Sequence, residues 1–295
     1  MQQPLSYLPR IRSYYQALGY GAPYVWAQQD SLPFSLLEKP LADAVIGVVT
    51  TAAPFRPDID VDQSIGAAVT GKTKFAQVLS HPMDPTPDLR LNHVAYDTTH
   101  TTHNDPGTYN PVETLKSLVA DRVFAGLGPR VHSVPTNRSQ STTREVYGDE
   151  VVSRVRDDGV DAVLLVPICP VCHQSMSLIA TRLEDAGIPT VIMGAARDIV
   201  EHVGVPRFFW SNMPLGNPCG PPNDPAAQRD NVLLALRLLR DAAAPRTTQT
   251  STHVWPGDPN WQHHYSNAAI LSETEIAERR AAFDRSKLKA QGSDR

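Results

Sequence analysis

The sequence predicts an α/β protein with a mostly parallel sheet, because short apolar segments alternate with longer amphipathic ones. Residues 44–49 form an uninterrupted apolar, β-branched run, which is typical of a strand buried on both faces. Residues 161–166 have the same character further along the chain. Long breaks rich in proline, of which there are 26 in 295 residues, lead us to expect two Rossmann-like lobes with an active-site cleft between them.

Four segments follow from these breaks. Residues 1–40 are aromatic and proline-rich and are expected to form an N-terminal arm. Residues 41–138 would form the first α/β lobe, and residues 139–243 the second, which carries a C-x-x-C motif. Residues 244–295 change to Thr, Trp, His and Pro before a final helix, so we expect a C-terminal extension packed on the surface.

The elements of the first lobe follow in order. The strand at 44–50 is followed by a second predicted strand at 91–96 and then by a helix. Asn110 is a suitable cap for that helix, Pro111 suits its first position, and Glu113 is at the capping-box position. Gly126 or Gly128 ends the helix, and residues 130–134 are predicted to be a short strand.

The second lobe repeats the alternation. A Thr142-x-x-Glu145 box opens a helix that ends at Gly159, and the strand at 161–166 follows. The remaining predicted elements are a helix at 171–186, strands at 190–193 and 207–210, a helix from Asp224 to about 239, and a last helix at 272–289.

Composition excludes several classes of function. The net charge of −4, from 27 basic and 31 acidic residues, is not typical of a nucleic-acid or anionic-membrane binder. No segment approaches the length of a membrane span, and no targeting signal is visible. Three cysteines are too few for a disulfide-stapled secreted scaffold, so we expect a cytoplasmic protein with reduced thiols.

The main chemical candidate is the C-x-x-C motif formed by Cys169 and Cys172. It directly follows a predicted buried strand and precedes a helix, which is where ligands bind in open α/β sheets. The positive end of a helix lowers the pKa of a thiol, so Cys169 is predicted to be the nucleophile and Cys172 the resolving thiol. His173 is placed to hold the thiolate. The motif is also compatible with half of a zinc site or with two inert buried cysteines.

A second candidate is the loop at 214–222, which contains Gly216, Asn217 and Cys219 among four prolines. Such a rigid backbone exposes N–H groups, so Gly216 and Asn217 are predicted to bind an anionic part of a substrate. Cys219 is predicted to face Cys169 across the cleft. The alternative is a stiff turn before the helix at Asp224.

A third candidate is the loop containing His93, Asp97, His100 and His103, which is dense in titratable side chains. His100 or His103 is predicted to protonate a leaving group, with Asp97 binding substrate. The same loop allows a metal site built from His93, His100 and His103, although its spacing matches no zinc motif. A solvated loop without chemistry is the remaining alternative. A His263-His264 pair is interpreted as surface.

Residues 161–172 and the segment ending in E-x-A-G-I-P at 184–189 resemble selenoprotein B of the glycine/sarcosine/betaine/D-proline reductase family. In this resemblance Cys169 falls on the family's selenocysteine and Cys172 on the cysteine that follows it. The P-L-G-N-P sequence at 214–218 resembles a loop of the same family. The likeness covers about residues 42–240 and implies a cysteine-containing, non-selenocysteine form.

The resemblance implies attack on an activated carbon, displacement of an amine, and release of the adduct by a thiol. We therefore expect a thiol-dependent reductase that cleaves a carbon–nitrogen, carbon–sulfur or carbon–halogen bond of a small molecule. An external thiol or thioredoxin-type reductant would then reduce a Cys169–Cys172 disulfide. A partner subunit and a homo-oligomer are both compatible with the sequence.

Three alternatives stay open at this point. Cys169 and Cys219 would be the acid and base of a racemase-like enzyme, which needs no reductant. The His93, Asp97, His100 and His103 loop would serve a metal-dependent enzyme. The chain would otherwise be a non-catalytic subunit of a reductase complex.

Overall fold

A computed structural model describes residues 3–55, 76–91, 95–101 and 104–292. The strands are β1 (Val45–Thr50), β2 (Ala53–Pro54), β3 (Leu79–Pro82), β4 (Leu89–Arg90), β5 (Gly126–Ser133), β6 (Ala162–Val166), β7 (Thr190–Gly194), β8 (Arg207–Trp210) and β9 (Thr247–Thr250). The helices are α1 (Tyr7–Ala17), α2 (Val112–Ala120), α3 (Gly148–Asp157), α4 (Pro170–Asp185), α5 (Arg197–Val203), α6 (Pro225–Asp241), α7 (Trp261–His264) and α8 (Glu273–Gly292).

Seven strands form one sheet in the order β3-β5-β1-β6-β7-β8-β9. All neighbours are parallel except β3, which pairs antiparallel with β5 at the edge. From β1 the chain passes to β5 on one side and then to β6 on the other. The sheet therefore has its topological switch point between β1 and β6. Strands β2 and β4 form a separate antiparallel pair.

Helices cover both faces of this sheet. Side chains of α2 and α6 pack with alternate strand residues into one apolar cluster, and side chains of α3 and α4 pack into another on the opposite face. All five residues of β6 and all five of β7 are buried, which accounts for their continuous apolar sequences. The predicted α/β class with a mostly parallel sheet is confirmed.

The predicted cleft between two lobes is not confirmed. Strands from both predicted lobes pair in register, since Ile46 of β1 is opposite Ala162 of β6, and Thr50 is opposite Val166. Hydrogen bonding across this pair makes the two halves one layer. The division into four segments, with its boundary at 138–139, stays a prediction.

The predicted strand at 91–96 is not found in the described part of that segment. Strand β4 ends at Arg90, and Ala95 and Tyr96 lie in a turn. Backbone groups that would pair within a sheet are hydrogen-bonded here to other parts of the chain. The Ala95 carbonyl accepts a hydrogen bond from the Tyr265 hydroxyl at 2.7 Å, and the Asp97 N–H donates to the Leu215 carbonyl at 3.0 Å.

Several elements lie where no regular structure was predicted, including β3, α5, β9 and α7, and the predicted N-terminal arm contains the helix α1. Within the described residues, none of the helices combines the length and the hydropathy that crossing a bilayer requires.

Candidate functional site

The carboxyl ends of β1 and β6 meet at the topological switch point, and two threonines fix the chain there. The Thr50 hydroxyl donates to the Val166 carbonyl at 3.1 Å, and the Ile168 N–H donates to the Thr51 hydroxyl oxygen at 3.1 Å. All four residues are buried. The chain that leaves β6 is therefore held rigidly as it turns toward Cys169.

Cys169 is the N-cap residue of α4. Its backbone is extended, with φ of −102°, and its Sγ accepts a hydrogen bond from the Cys172 N–H at 3.3 Å. Pro170 occupies the start of the helix, where the missing N–H costs nothing. The Sγ of Cys172 lies 3.2 Å from the Thr136 hydroxyl. The two predicted redox cysteines thus lie together on one helical turn at the carboxyl edge of the sheet.

Burial controls the acidity of Cys169. Only 4% of the residue is exposed. Burial raises the pKa of the Cys169 thiol well above its usual value, and the neighbouring Cys172 thiol raises it further. The N–H groups of Cys172 and Val171 lower the pKa, but less. The expectation that the helix N-terminus lowers this pKa is therefore outweighed by desolvation, and in this conformation Cys169 is a neutral thiol at pH 7.

His173 does not contact the thiol sulfur in the way the sequence suggested. Its Nδ1 lies 2.8 Å from the Cys169 carbonyl oxygen, and its Nε2 accepts hydrogen bonds from the Ala195 and Ala196 N–H groups at 3.0 and 3.1 Å. Burial lowers the pKa of His173 to about 4. The imidazole is therefore neutral, with its proton on Nδ1, and it joins the α4 N-terminus to the chain after β7.

The loop at 214–222 is braced by its own Asn217. The Asn217 Nδ2 donates to the Pro214 carbonyl at 3.0 Å, and the Oδ1 accepts from the Thr101 hydroxyl at 3.0 Å. Gly216 has φ of +108°, a conformation that favours glycine, and its carbonyl accepts from the Thr108 hydroxyl. The Asn217 amide is thus engaged within the fold, and its predicted role in substrate binding stays a prediction.

Cys219 lies deeper than the sequence suggested. Its N–H donates to the Thr108 carbonyl at 2.9 Å, and its carbonyl accepts from the Asn231 amide at 3.1 Å. Burial raises the pKa of the Cys219 thiol, and the charge of Asp105 adds to this effect. Cys219 belongs to the same apolar cluster as Cys169 and Cys172. Both members of the racemase-like pair are neutral thiols here.

Asp97 and His100 form a hydrogen-bonded pair in the third candidate loop. The Asp97 carboxylate accepts the N–H groups of Thr99 and His100 at 2.9 Å each, and its Oδ2 lies 2.9 Å from the His100 Nδ1. Asp97 is buried. His93 and His103 lie outside the described residues, so the metal set that includes them stays a prediction.

The sequence did not identify the groups that cover Cys169. We call helix α1 together with residues 261–265 the cover. Tyr7, Trp261 and Tyr265 share one apolar cluster with Cys169, and a thiolate on Cys169 would raise the pKa of Tyr265. The sequence indicated these segments only through their aromatic residues, which are usually buried.

Arg10 ties the two parts of the cover together. Its Nη1 donates to the carbonyl oxygens of Gln262, His263 and Tyr265 at 3.1, 3.2 and 2.9 Å. These are carbonyls at the end of α7, where the helix leaves them without internal partners. One guanidinium group therefore joins α1 to the segment at 261–265.

Comparison with known proteins bears on this geometry. No protein-family model matches the chain, and no solved structure matches it. The D-proline reductase subunit gamma of Acetoanaerobium sticklandii is 29% identical over 153 residues, which cover 52% of this chain and 63% of the relative. The glycine reductase complex component B subunit gamma of Carboxydothermus hydrogenoformans is 27% identical over 215 residues, which cover 71% of this chain and 48% of the relative.

The chain is homologous to subunits of these reductases. A further relative, the sarcosine reductase complex component B subunit beta of Peptoclostridium acidaminophilum, is 24% identical over 153 residues, or 48% of this chain and 34% of the relative. These matches confirm the predicted resemblance of the chain to the glycine/sarcosine/betaine/D-proline reductase family. The matched region covers between about a third and just under two thirds of the length of these relatives, depending on the relative.

Proposed function

We propose that this chain is a subunit of a thiol-dependent reductase that cleaves a carbon–heteroatom bond of a small molecule. Its homologues are subunits of D-proline, glycine and sarcosine reductases, which supports a role in such a complex. The observation that carries the proposal is the position of Cys169, which caps α4 at the topological switch point with Cys172 in the first helical turn.

The first step is attack by the Cys169 thiolate on the substrate carbon. A sulfur–carbon bond forms, the carbon–heteroatom bond breaks, and the heteroatom leaves with its electron pair and takes a proton. Of the two predicted proton donors, His100 and His103, the structure describes His100. A thiolate at this position needs the cover to move, because burial raises the pKa of Cys169 while the cover is shut.

The second step is attack by Cys172 on the Cys169 sulfur. A disulfide forms, the sulfur–carbon bond breaks, and the carbon takes the electron pair and a proton. Two thiols have then lost two electrons to the substrate, and an external thiol or thioredoxin-type protein restores them. Because the carbon must carry the electron pair, the substrate class is one with a carbonyl or carboxyl group next to the bond that breaks.

Mass spectrometry of the oxidised chain tests the thiol pair without knowledge of the substrate. One equivalent of glutathione disulfide should give an internal Cys169–Cys172 disulfide, with the loss of two hydrogens and no bound glutathione. Cys172→Ser should instead trap glutathione on Cys169, because the resolving thiol is gone. Cys219→Ser is the matched control and should behave like the unaltered chain.

Turnover provides the second arm. The chain, with its partner subunits where they co-purify, is assayed with dithiothreitol on D-proline, glycine, sarcosine and 2-haloacids. Thiol-dependent product formation should be lost in Cys169→Ser. Full turnover by that variant would refute Cys169 as the nucleophile, and turnover that needs no thiol would favour the racemase-like alternative. A chain that forms the internal disulfide only when unfolded would favour a non-catalytic subunit.

A further inference from the structure

Three metal-ligating side chains from separate parts of the chain come together outside the thiol site. The Nε2 of His100 lies 3.2 Å from the Nδ1 of His264, which is 164 residues away in sequence. The same His264 nitrogen lies 3.5 Å from the Oδ2 of Asp258. One ligand atom from each of the three residues lies within 4.8 Å of the other two.

These spacings match the coordination sphere of a small divalent cation. Zinc binds histidine nitrogen at about 2.0–2.1 Å and carboxylate oxygen at about 2.0–2.2 Å, in tetrahedral geometry. Two ligand atoms on such a tetrahedron are about 3.3–3.5 Å apart. The contact of His100 with His264 and that of His264 with Asp258, at 3.2 and 3.5 Å, are close to this edge length.

A buried carboxylate orients one of the three ligands. Asp97 is 2% exposed, and it is fixed by the N–H groups of Thr99 and His100. It holds the Nδ1 of His100 at 2.9 Å, which directs the Nε2 lone pair toward His264 and Asp258. A carboxylate that accepts the second N–H of a histidine is the usual outer support of a histidine metal ligand.

We propose that His100, His264 and Asp258 bind a divalent transition-metal ion, with zinc favoured by a donor set of two imidazoles and one carboxylate. His264 and Asp258 are 43% and 41% exposed, so the ion reaches the site from solvent. The three ligands found among the described residues leave a fourth position of the tetrahedron for water or a substrate group. The site shares His100 with the predicted set that includes His93 and His103, and its other two ligands come from the C-terminal segment.

Such an ion would fasten the cover. His264 is in α7 and Asp258 just precedes it, whereas His100 belongs to the loop that contacts the 214–222 segment through Asp97 and Thr101. Coordination would therefore join the C-terminal segment to the loop that packs on residues 214–222. This inference does not rest on any thiol chemistry, and either proposal can fail without the other. A zinc-bound His100 has no free ring nitrogen, so in the zinc-loaded protein another group would protonate the leaving group.

The test is zinc binding by the full chain, with any purification tag removed. Elemental analysis after dialysis against zinc and then metal-free buffer should give one zinc per chain, and zinc should raise the melting temperature. His264→Gln and Asp258→Asn should each weaken zinc binding by more than about tenfold. His263→Gln changes the adjacent exposed histidine and should leave the affinity unchanged.

Cobalt substitution distinguishes this site from the cysteines. Cobalt bound by the proposed ligands gives visible d–d absorption without an intense thiolate charge-transfer band, and Cys169→Ser should not change the spectrum. A thiolate band, or zinc bound equally well by His264→Gln and Asp258→Asn, would overturn the proposal. So would the absence of stoichiometric zinc from the folded chain. Circular dichroism of each variant confirms that a loss of zinc is not a loss of fold.

Discussion

Replacing His173 with glutamine should remove a pH-dependent part of this protein's stability. The imidazole bridges three backbone groups, the carbonyl of Cys169 and the N–H groups of Ala195 and Ala196, at 2.8 to 3.1 Å in a fully buried position. A glutamine amide carries both of its polar atoms on one terminal carbon, so it cannot place them at the positions of Nδ1 and Nε2 together. It leaves buried polar groups without partners, and each lost hydrogen bond costs about 1 kcal/mol. We expect a loss of about 3 kcal/mol at pH 7.5.

The pH dependence follows from the lowered pKa of His173. The folded value is about 4, whereas an unfolded histidine titrates near 6.5. Between these values the unfolded chain binds the proton and the folded chain does not, so stability falls as the pH falls. The contribution of His173 is complete above pH 6.5 and is lost progressively toward pH 4. From pH 7.5 to pH 4.5 the loss is about 2.5 kcal/mol.

Urea unfolding at pH 7.5 and pH 4.5 measures this contribution. Other groups add their own pH dependence, so the quantity of interest is the free energy of unfolding of the unaltered chain minus that of His173→Gln. The difference should shrink by about 2.5 kcal/mol between the two pH values. For the exposed control His263→Gln, the corresponding difference in unfolding free energy should not change between the two pH values. A difference that stays constant with pH would refute a buried, neutral His173.

Two further predictions concern the cover and the sheet. Arg10→Ala removes three hydrogen bonds to the end of α7 and should speed the alkylation of Cys169 by iodoacetamide about tenfold. Arg12→Ala changes an exposed residue of α1 and should not alter the alkylation rate. Equal rates for the two variants would show that the cover does not limit access to Cys169. Gly194→Ala places a methyl group 2.8 Å from the buried His173 imidazole and should lower the free energy of thermal unfolding by about 2 kcal/mol. Gly126→Ala is the control and should have a negligible effect, because its added methyl group meets nothing within 4 Å.

Local patterns were enough to predict most of the elements. The buried strands β1, β6, β7 and β8 have short apolar runs, and α2, α4 and α6 have proline at or just before their first helical residue. The strand β9 has the sequence Thr-Thr-Gln-Thr and little burial, so it carries no apolar signal and forms because β8 offers an edge. The sequence also placed Cys169 and Cys172 at a strand-to-helix turn, since strand, turn and helix are adjacent there.

The environment of the cysteines required the tertiary structure. From the sequence, the helix N-terminus was expected to lower the pKa of Cys169, but the larger effect is desolvation by burial, which raises it. The apolar cluster around Cys169 includes side chains of α1 and of residues 261–265, which lie far from Cys169 along the chain. The His263-His264 pair lies at the surface, as the sequence suggested, but the sequence contained no sign that His264 meets His100, because nothing local brings the two imidazoles together.

By itself the sequence determined the order of strands and helices, the turn that carries Cys169 and Cys172, and the likeness to reductase subunits. These depend on side-chain periodicity and on residues that are neighbours in the chain. Only the tertiary structure decided that both predicted lobes share one sheet, that the thiol is covered and neutral, and that His100, His264 and Asp258 meet. Each of these depends on contacts between segments far apart in sequence, where burial and packing override local preference.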